Sequence, residues 1–559
     1  MADVSFKNPL SPLKRMIKLL AAERKDIGLL YLYAIIAGII SLSLPLGIQA
    51  IINYVSFGQM TTSWIVLVIV VIIGIMISGT LQVLQLMISE GIQQRIFVNS
   101  AFEFAYRIPR LQMIPLRGRF VPELINRFFD TINVQKGVAK LLLDLPAAFL
   151  QIVFGLILLS LYHPLFLAFG AVLVILLALL IRFTGPVGLK ASLDESHYKY
   201  EVAHWLQDLG RSMAMFKMFG ATNMHVQRTD QLVEGYLNAR KRHFNVLLVK
   251  YWMVVLFQVL IIGSLLVIGG LLVQANEINI GQLVASEIVI ILLMSSVEKL
   301  VMSMETVYDL LTGLEKIGYL ADLELDAPTG HDVPSVDGQF GYQVDLSDLS
   351  FKDLKTGQNL ITNFNARIES GEMVRLEGCN TASVQAIVDS LVGMREEFGG
   401  SILINGLDVR SLCLETFRSK IATAFSPRDI FQGTILENIT LDSRPMNAVT
   451  GGRMTQVINA VGLSNYIESQ GLNAEMLPKG SNTAGTIRRK IILARALMRT
   501  PRLMILKNPF RGMNADECRH FLDYLRANHE GATVLIVSDD RRFDHLMDSI
   551  VDPECKVTI

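Results

Sequence analysis

Four cysteines in 559 residues are too few and too scattered to make a disulfide framework. Cys379, Cys413, Cys518 and Cys555 all fall in the second half without metal-ligand spacing, so they read as reduced thiols and no metal is expected. Net charge is missing as well, because 51 basic residues are balanced by 51 acidic ones. A balanced chain sets up no bulk field for a polyanion, and nucleic acid is not an expected partner. No internal repeat or low-complexity tract stands out. No cleavable signal peptide is expected either: Lys14, Arg15, Lys18, Arg24 and Lys25 precede an apolar run far too long for a signal core.

What the chain has in abundance is apolar residues, 51% of the total, unevenly placed. Up to about Met304 they occur in long runs; after Asp322 the texture is that of a soluble α/β protein. A bilayer-spanning helix needs about 20 apolar residues. Six runs qualify, near 27–55, 62–88, 141–162, 164–183, 245–274 and 280–302. Their first, third and fifth connections are short and almost uncharged, whereas the second and fourth are long and basic. Arg95, Arg107, Arg110, Arg117, Arg119 and Arg127 lie in one, and Arg211, Lys217, Arg228 and Arg240 in the other. Positive charge stays on the cytoplasmic side. Both long loops, the N-terminus and the C-terminal domain are therefore expected in the cytoplasm.

Helical spacing of Phe97, Ala101, Phe104 and Ile108, and of Trp205, Leu209, Met213 and Phe216, makes the long loops helical extensions of the spans. Pro45 and Pro146 sit inside spans, where kinks are tolerated if neighbouring helices cover the freed backbone groups. Glu287 is the one carboxylate well inside an apolar run. It is either a functional intramembrane acid or a hydrated group near the outer interface, and both readings stay open. The expected domains are residues 1–320 for the membrane part, an Asp/Pro/Gly-rich linker over 321–340, and a soluble domain over 341–559.

The soluble part is organised around residues 477–510. A helix carrying Ala494-Arg495-Ala496-Leu497 turns at Thr500-Pro501 and delivers a buried strand, 503–506. In ATPase engines such a strand ends in a carboxylate that holds magnesium and one that activates water; here it ends in Lys507 and Asn508. Upstream, a strand, the loop from Gly378 and an apolar helix follow the phosphate-loop order. Laid on that spacing, Gly378 survives, while Ser383 replaces the second glycine, Val384 the lysine and Gln385 the magnesium-holding hydroxyl.

With Gly399-Gly400, Gly433-Thr434-Ile435, Asn438-Ile439 and the strand 533–537 at matching distances, the chain resembles a half-size ATP-binding-cassette (ABC) exporter over nearly all of 12–551. The fold class implied is multi-domain: an all-α six-helix transmembrane domain followed by an α/β P-loop-type cassette. Pro45-Leu-Gly-Ile-Gln, Pro122-Glu-Leu-Ile-Asn-Arg-Phe-Phe-Asp and Leu142-Leu-Asp-Leu-Pro resemble the subgroup serving bacterial protein and peptide secretion.

The resemblance also locates the departures. Asp353 stands where the family stacks an aromatic on adenine, and Ser426 where a glutamine senses magnesium. Thr483-Ala484-Gly485-Thr486-Ile487 replaces the Leu-Ser-Gly-Gly-Gln signature, Asp539 the histidine on the γ-phosphate, and Asn514 the aspartate of the loop that crosses to the other subunit. Apart from Gly378 and Gly485, every aligned chemical position has changed while packing positions have not. ATP hydrolysis is not expected, nor any cofactor, ATP and magnesium included. Lys507 reads as a solvated or ion-paired residue.

The resemblance then implies an inner-membrane subunit of a bacterial-type export system with a degenerate ATPase domain, acting as a homodimer or as a heterodimer with another ABC subunit. A periplasmic adaptor and an outer-membrane channel are the further partners it suggests. Two other readings stand beside it: a non-transporting scaffold or regulatory subunit, and a passive gated channel.

Overall fold

The computed structural model describes residues 11–56, 62–113, 116, 121–220, 223–326, 329–353, 356–378, 382–426, 429–442 and 448–553. Cys379, Cys555, Arg117, Arg119, the loop residues 379–381 and the first short connection at 57–61 lie outside them. The chain divides into two compact units, Met1–Arg110 with Gly118–Leu323, and Leu111–Arg117 with Glu324–Ile559.

The described residues of the first unit are helical apart from short turns. In chain order the helices are α1 (Pro12–Ala22), α2 (Arg24–Ser41), α3 (Ser43–Ser56), α4 (Thr62–Arg107), α5 (Val121–Asn126) and α6 (Asp130–Tyr162). They continue with α7 (Pro164–Arg211), α8 (Met213–Met218), α9 (Met224–Gln274) and α10 (Ile280–Ala321). Six stretches are long and apolar enough to cross a membrane: Arg24–Val55, Thr62–Arg110, Leu124–Tyr162, Pro164–Arg211, Met224–Gln274 and Ile280–Ala321. Each expected span lies inside one of them, and the long loops are indeed helical extensions.

Local chemistry sets the helix ends. At α10 the Asn279 carboxamide accepts from Gln282 N at 2.7 Å while Gln282 accepts from Asn279 N at 2.9 Å, a reciprocal capping box. Pro164 opens α7, where a missing N–H costs nothing, and His163 Nδ1 accepts from Leu165 N at 3.2 Å. The two span prolines behave differently. Pro45 cannot donate to the carbonyl of Ser41, and the first span breaks there into α2 and α3. Pro146 leaves α6 continuous from Asp130 to Tyr162. There α6 is backed along its length by α10, and Gly155 approaches the side chain of Leu293 closely. An apolar cluster including Leu30, Ile92, Val138 and Leu310 ties α2, α4, α6 and α10 together.

The second unit holds strands β1 (Val344–Lys352), β2 (Asn359–Ile368), β3 (Met373–Leu376), β4 (Gly399–Ile404), β5 (Leu407–Asp408) and β6 (Ile421–Ala424). After them come β7 (Gly433–Thr434), β8 (Glu475–Met476), β9 (Leu503–Lys507), β10 (Thr533–Val537) and β11 (Ser549–Val551). Its helices are α11 (Ala382–Leu391), α12 (Leu414–Ser419), α13 (Ile435–Thr440), α14 (Ala448–Ala460), α15 (Ser464–Gln470), α16 (Gly485–Leu497) and α17 (Ala515–Asn528). One sheet is antiparallel, in the order β2-β1-β4-β5. The other is parallel, β11-β3-β10-β9-β6, and its strands β3 and β10 are wholly buried. Continuous apolar runs suit a parallel sheet covered on both faces.

The segment expected as a linker is only partly one. His331 N donates to Ser411 O and Cys413 N to His331 O, so that its middle is laid onto the same unit. Ala327 and Pro328 lie outside the described residues. Leu111–Arg117 is a feature that sequence alone did not place: Leu111 bridges Leu325, and Gln112 N donates to Glu324 O at 3.0 Å.

Candidate functional site

In a parallel sheet the carboxyl ends of the strands form one edge, and ligands of open α/β folds bind there. β10 lies between β3 and β9, with Val537 opposite both Leu376 and Lys507. That register brings Gly378, Asp539 and the pair Lys507-Asn508 to the same edge. The sequence-predicted positions of the phosphate loop, the strand end and the last switch therefore do converge.

Their chemistry is turned inward. Lys507 Nζ donates to Gln385 Oε1 at 2.6 Å, and Gln385 Nε2 donates in turn to Asp389 Oδ1 at 2.8 Å. In a working relative these two positions, strand-end carboxylate and loop hydroxyl, hold magnesium between them. Here an ammonium bridges them directly. Lys507 is half-buried and has no ion pair among the described residues; its hydrogen bond there goes to a neutral amide. On the other side, Gly378 takes φ +86, which suits glycine, and its N–H donates to Asp539 Oδ1 at 2.7 Å. A carboxylate of the chain receives a loop amide that would otherwise face a phosphate.

Two further loop positions turn into the domain's interior. Val384 is fully buried and belongs to the core with Leu376, Ile387 and Leu391. Ser383 is 7% exposed, and its hydroxyl donates to Leu360 O at 3.0 Å. Asp353 accepts from Thr356 N at 2.9 Å and so caps its own turn, with no aromatic surface offered there. Ser426 accepts from Asp429 N at 3.0 Å through its carbonyl. Asn508 adopts φ +50, a left-handed conformation that Asn tolerates.

Ala484, Gly485 and Thr486 form the exposed N-terminus of α16, with no side-chain cap at Ala484. Asn514 caps α17 in a reciprocal box with Glu517. Glu287 is exposed on α10 of the first unit, far in sequence from all of these.

The packing positions, by contrast, keep their tasks. Thr434 and Glu437 form a capping box on α13. Asn438 is fully buried and bonds Phe431 O at 3.0 Å and Thr434 O at 3.1 Å. Arg495 Nε donates to Asn438 O at 2.7 Å and its Nη1 to Asp429 O at 2.9 Å. Burial pushes the Asp429 carboxyl up, against the pull of Arg495. Arg542 holds the Asp540 carboxyl low through a side-chain hydrogen bond.

One residue near the site escaped sequence reasoning. Arg375, 2% exposed in the buried strand β3, donates to Ser538 O at 3.0 Å, and its Nε lies 2.7 Å from Asp544 Oδ1. It anchors the turn that carries Asp539. The signal was a lone charge inside an otherwise apolar strand.

Residues 27–297 match the family described as ABC transporter transmembrane region, and residues 361–511 the family described as ABC transporter. This is the domain pair of a half-size ABC exporter. A solved structure of a bacterial Atm1-family ABC exporter with ATP bound superposes with a TM-score of 0.83. It covers 96% of this chain and 94% of its own, at 16% identity, a likeness of fold. The β-(1→2)glucan export ATP-binding/permease protein NdvA of Rhizobium meliloti is 22% identical over 268 residues, 48% of this chain and 45% of its own. The mitochondrial ATP-binding cassette sub-family B member 10 of Mus musculus is 25% identical over 182 residues, 32% of this chain and 26% of its own. The chain thus spans less than half the length of these curated relatives.

Within this ABC architecture the site can be tested for fit to a magnesium nucleotide. Among the described residues, Val384 and Gln385 supply neither the loop lysine nor the magnesium-holding hydroxyl, Lys507 puts an ammonium where the metal would sit, and Asp539 puts a negative charge where phosphate would. The residues present do not fit that group.

Proposed function

We propose that this ABC-exporter subunit works without ATP hydrolysis of its own, its cassette serving as an assembly domain in a dimeric export complex. The observation that carries the proposal is the Lys507–Gln385 hydrogen bond at 2.6 Å, an ammonium bridging the two positions where relatives hold magnesium. The Asp539–Gly378 contact supports it from the phosphate side. Two cassettes of this kind supply neither a competent loop nor a competent signature, so even a catalytic partner meets Thr483 to Ile487 in place of a proper lid.

Such a complex sits in the inner membrane, with the cassette and both basic loops on the cytoplasmic side, as the distribution of Arg and Lys directs. Its dimer rests on close packing and interhelical hydrogen bonds of the membrane helices, since apolar burial alone does not drive association in lipid. The membrane-half motifs favour a bacterial secretion assembly with an adaptor and an outer-membrane channel. NdvA, by its name, exports a glucan, and a polysaccharide cargo is the rival to a polypeptide one.

The test is turnover. The full chain in nanodiscs is expected to release no phosphate from magnesium-ATP above a blank prepared from membranes lacking it. Magnesium-dependent release that a non-hydrolysable analogue abolishes would overturn the proposal.

A further inference from the structure

The first unit contains a cavity of about 380 Å³ between α6, α7, α9 and α10. Its size lies within the range of small-molecule sites, roughly 300–1,000 Å³. Its depth follows from helix length. Lys140 and Glu305 lie about 33–38 Å along α6 and α10 from their far ends, and Asp130 and Gly313 about 48–50 Å, at 1.5 Å per residue. A hydrocarbon core is only about 30 Å thick. The cavity therefore lies beyond the apolar layer, on the side where α10 leads into the second unit, and a solute in water can reach it.

Its charges are of both signs and are kept apart. Lys136 and Lys140 stand one turn apart on α6, and Glu305 and Asp309 one turn apart on α10. At this level the two helices approach closely, because a Cβ on Gly137 would lie 3.5 Å from Leu310 and 3.7 Å from Thr306. Nevertheless none of these four side chains has an ion pair or hydrogen bond among the described residues. Opposite charges on adjoining helices ordinarily close on each other when nothing holds them open.

The other charges facing the cavity have contacts of their own. Glu195 binds Arg240 at 3.0 Å and His243 at 2.7 Å, Asp130 accepts from Tyr200, and the Lys199 ammonium lies over the Tyr200 ring, 5.3 Å from its centroid. Ser196, 7% exposed, lines the same space.

The geometry points to a binding site for a small zwitterion of amino-acid or dipeptide size, its ammonium toward Glu305 and Asp309 and its carboxylate toward Lys136 and Lys140. An anion alone meets the two carboxylates, and a cation alone meets the two lysines. A ligand bearing both charges a few ångströms apart satisfies all four groups and leaves the Ser196 hydroxyl to a polar atom. This site is independent of the cassette, so it stands whether or not the chain turns over ATP.

The test uses the full chain in nanodiscs, titrated by calorimetry with glutamine and glycylglutamine and with their N-acetyl and C-amide forms. Saturable binding of a free zwitterion is expected, weakened at least tenfold by capping either end. In Glu305→Gln/Asp309→Asn the N-acetyl form is expected to bind no worse than the free ligand, and in Lys136→Gln/Lys140→Gln the same holds for the amide. Those crossed preferences depend on a folded site, which separates them from loss of structure. The inference is overturned if no free zwitterion binds saturably, or if capped and free ligands bind the parent chain equally.

Discussion

Replacing Val384 by lysine, the change that gives the loop its missing ammonium, is expected to destabilise the cassette by roughly 3 kcal/mol or more without conferring ATP binding. In a working loop this position faces phosphate, and a lysine there is stabilised by its ligand. Here Val384 is fully buried among Leu376, Ile387, Val388 and Leu391. A lysine placed there must bury an ammonium without a carboxylate or force the start of α11 open. Urea denaturation followed by pulse proteolysis of the cassette measures the cost. A Val384→Lys chain as stable as the parent, and newly able to bind magnesium-ATP, would show that the position faces a nucleotide site after all.

The second large effect is expected at Arg375. Arg375→Ala removes the guanidinium that bonds Ser538 O and pairs with Asp544, leaving a carboxylate and a carbonyl without their partner. Breaking a buried pair from one side costs about 3–5 kcal/mol. Because the Asp544 side chain is 28% exposed and can partly rehydrate, the lower end, about 3 kcal/mol, is expected. Arg375→Met keeps most of the volume and separates lost packing from lost charge. The turn carrying Asp539 should loosen with it, so that hydrogen exchange at Gly378 speeds up in both variants. Unchanged exchange would mean that Arg375 supports the sheet alone and has no hold on the site.

Much of this was legible in the amino-acid sequence because the signals were long or repeated. Six apolar runs of membrane length need only be counted, and strands such as 533–537 announce themselves as unbroken apolar stretches between turn residues. The positions of the loop, the strand end and the last switch were readable because their spacings constrain one another. What Lys507 does was not, since its partner Gln385 lies 122 residues away and only the β3-β10-β9 strand order brings the two together.

Likewise the sequence marks Pro45 and Pro146 equally, yet only the first breaks its helix. The difference lies in neighbours, which no local pattern encodes. Leu111–Arg117 could not be assigned to the second unit either, because its pairing with Leu325 and Glu324 spans more than two hundred residues of intervening helix.

The central claim is that the chain's own ammonium and carboxylate fill the places of magnesium and phosphate. Equilibrium titration of the full chain in nanodiscs with a fluorescent ATP analogue, with and without magnesium, tests it most directly. The account predicts no saturable binding at millimolar nucleotide, and no change on adding magnesium. Saturable, magnesium-dependent binding that Lys507→Ala weakens would contradict it, since the lysine would then be serving a nucleotide and not replacing its metal.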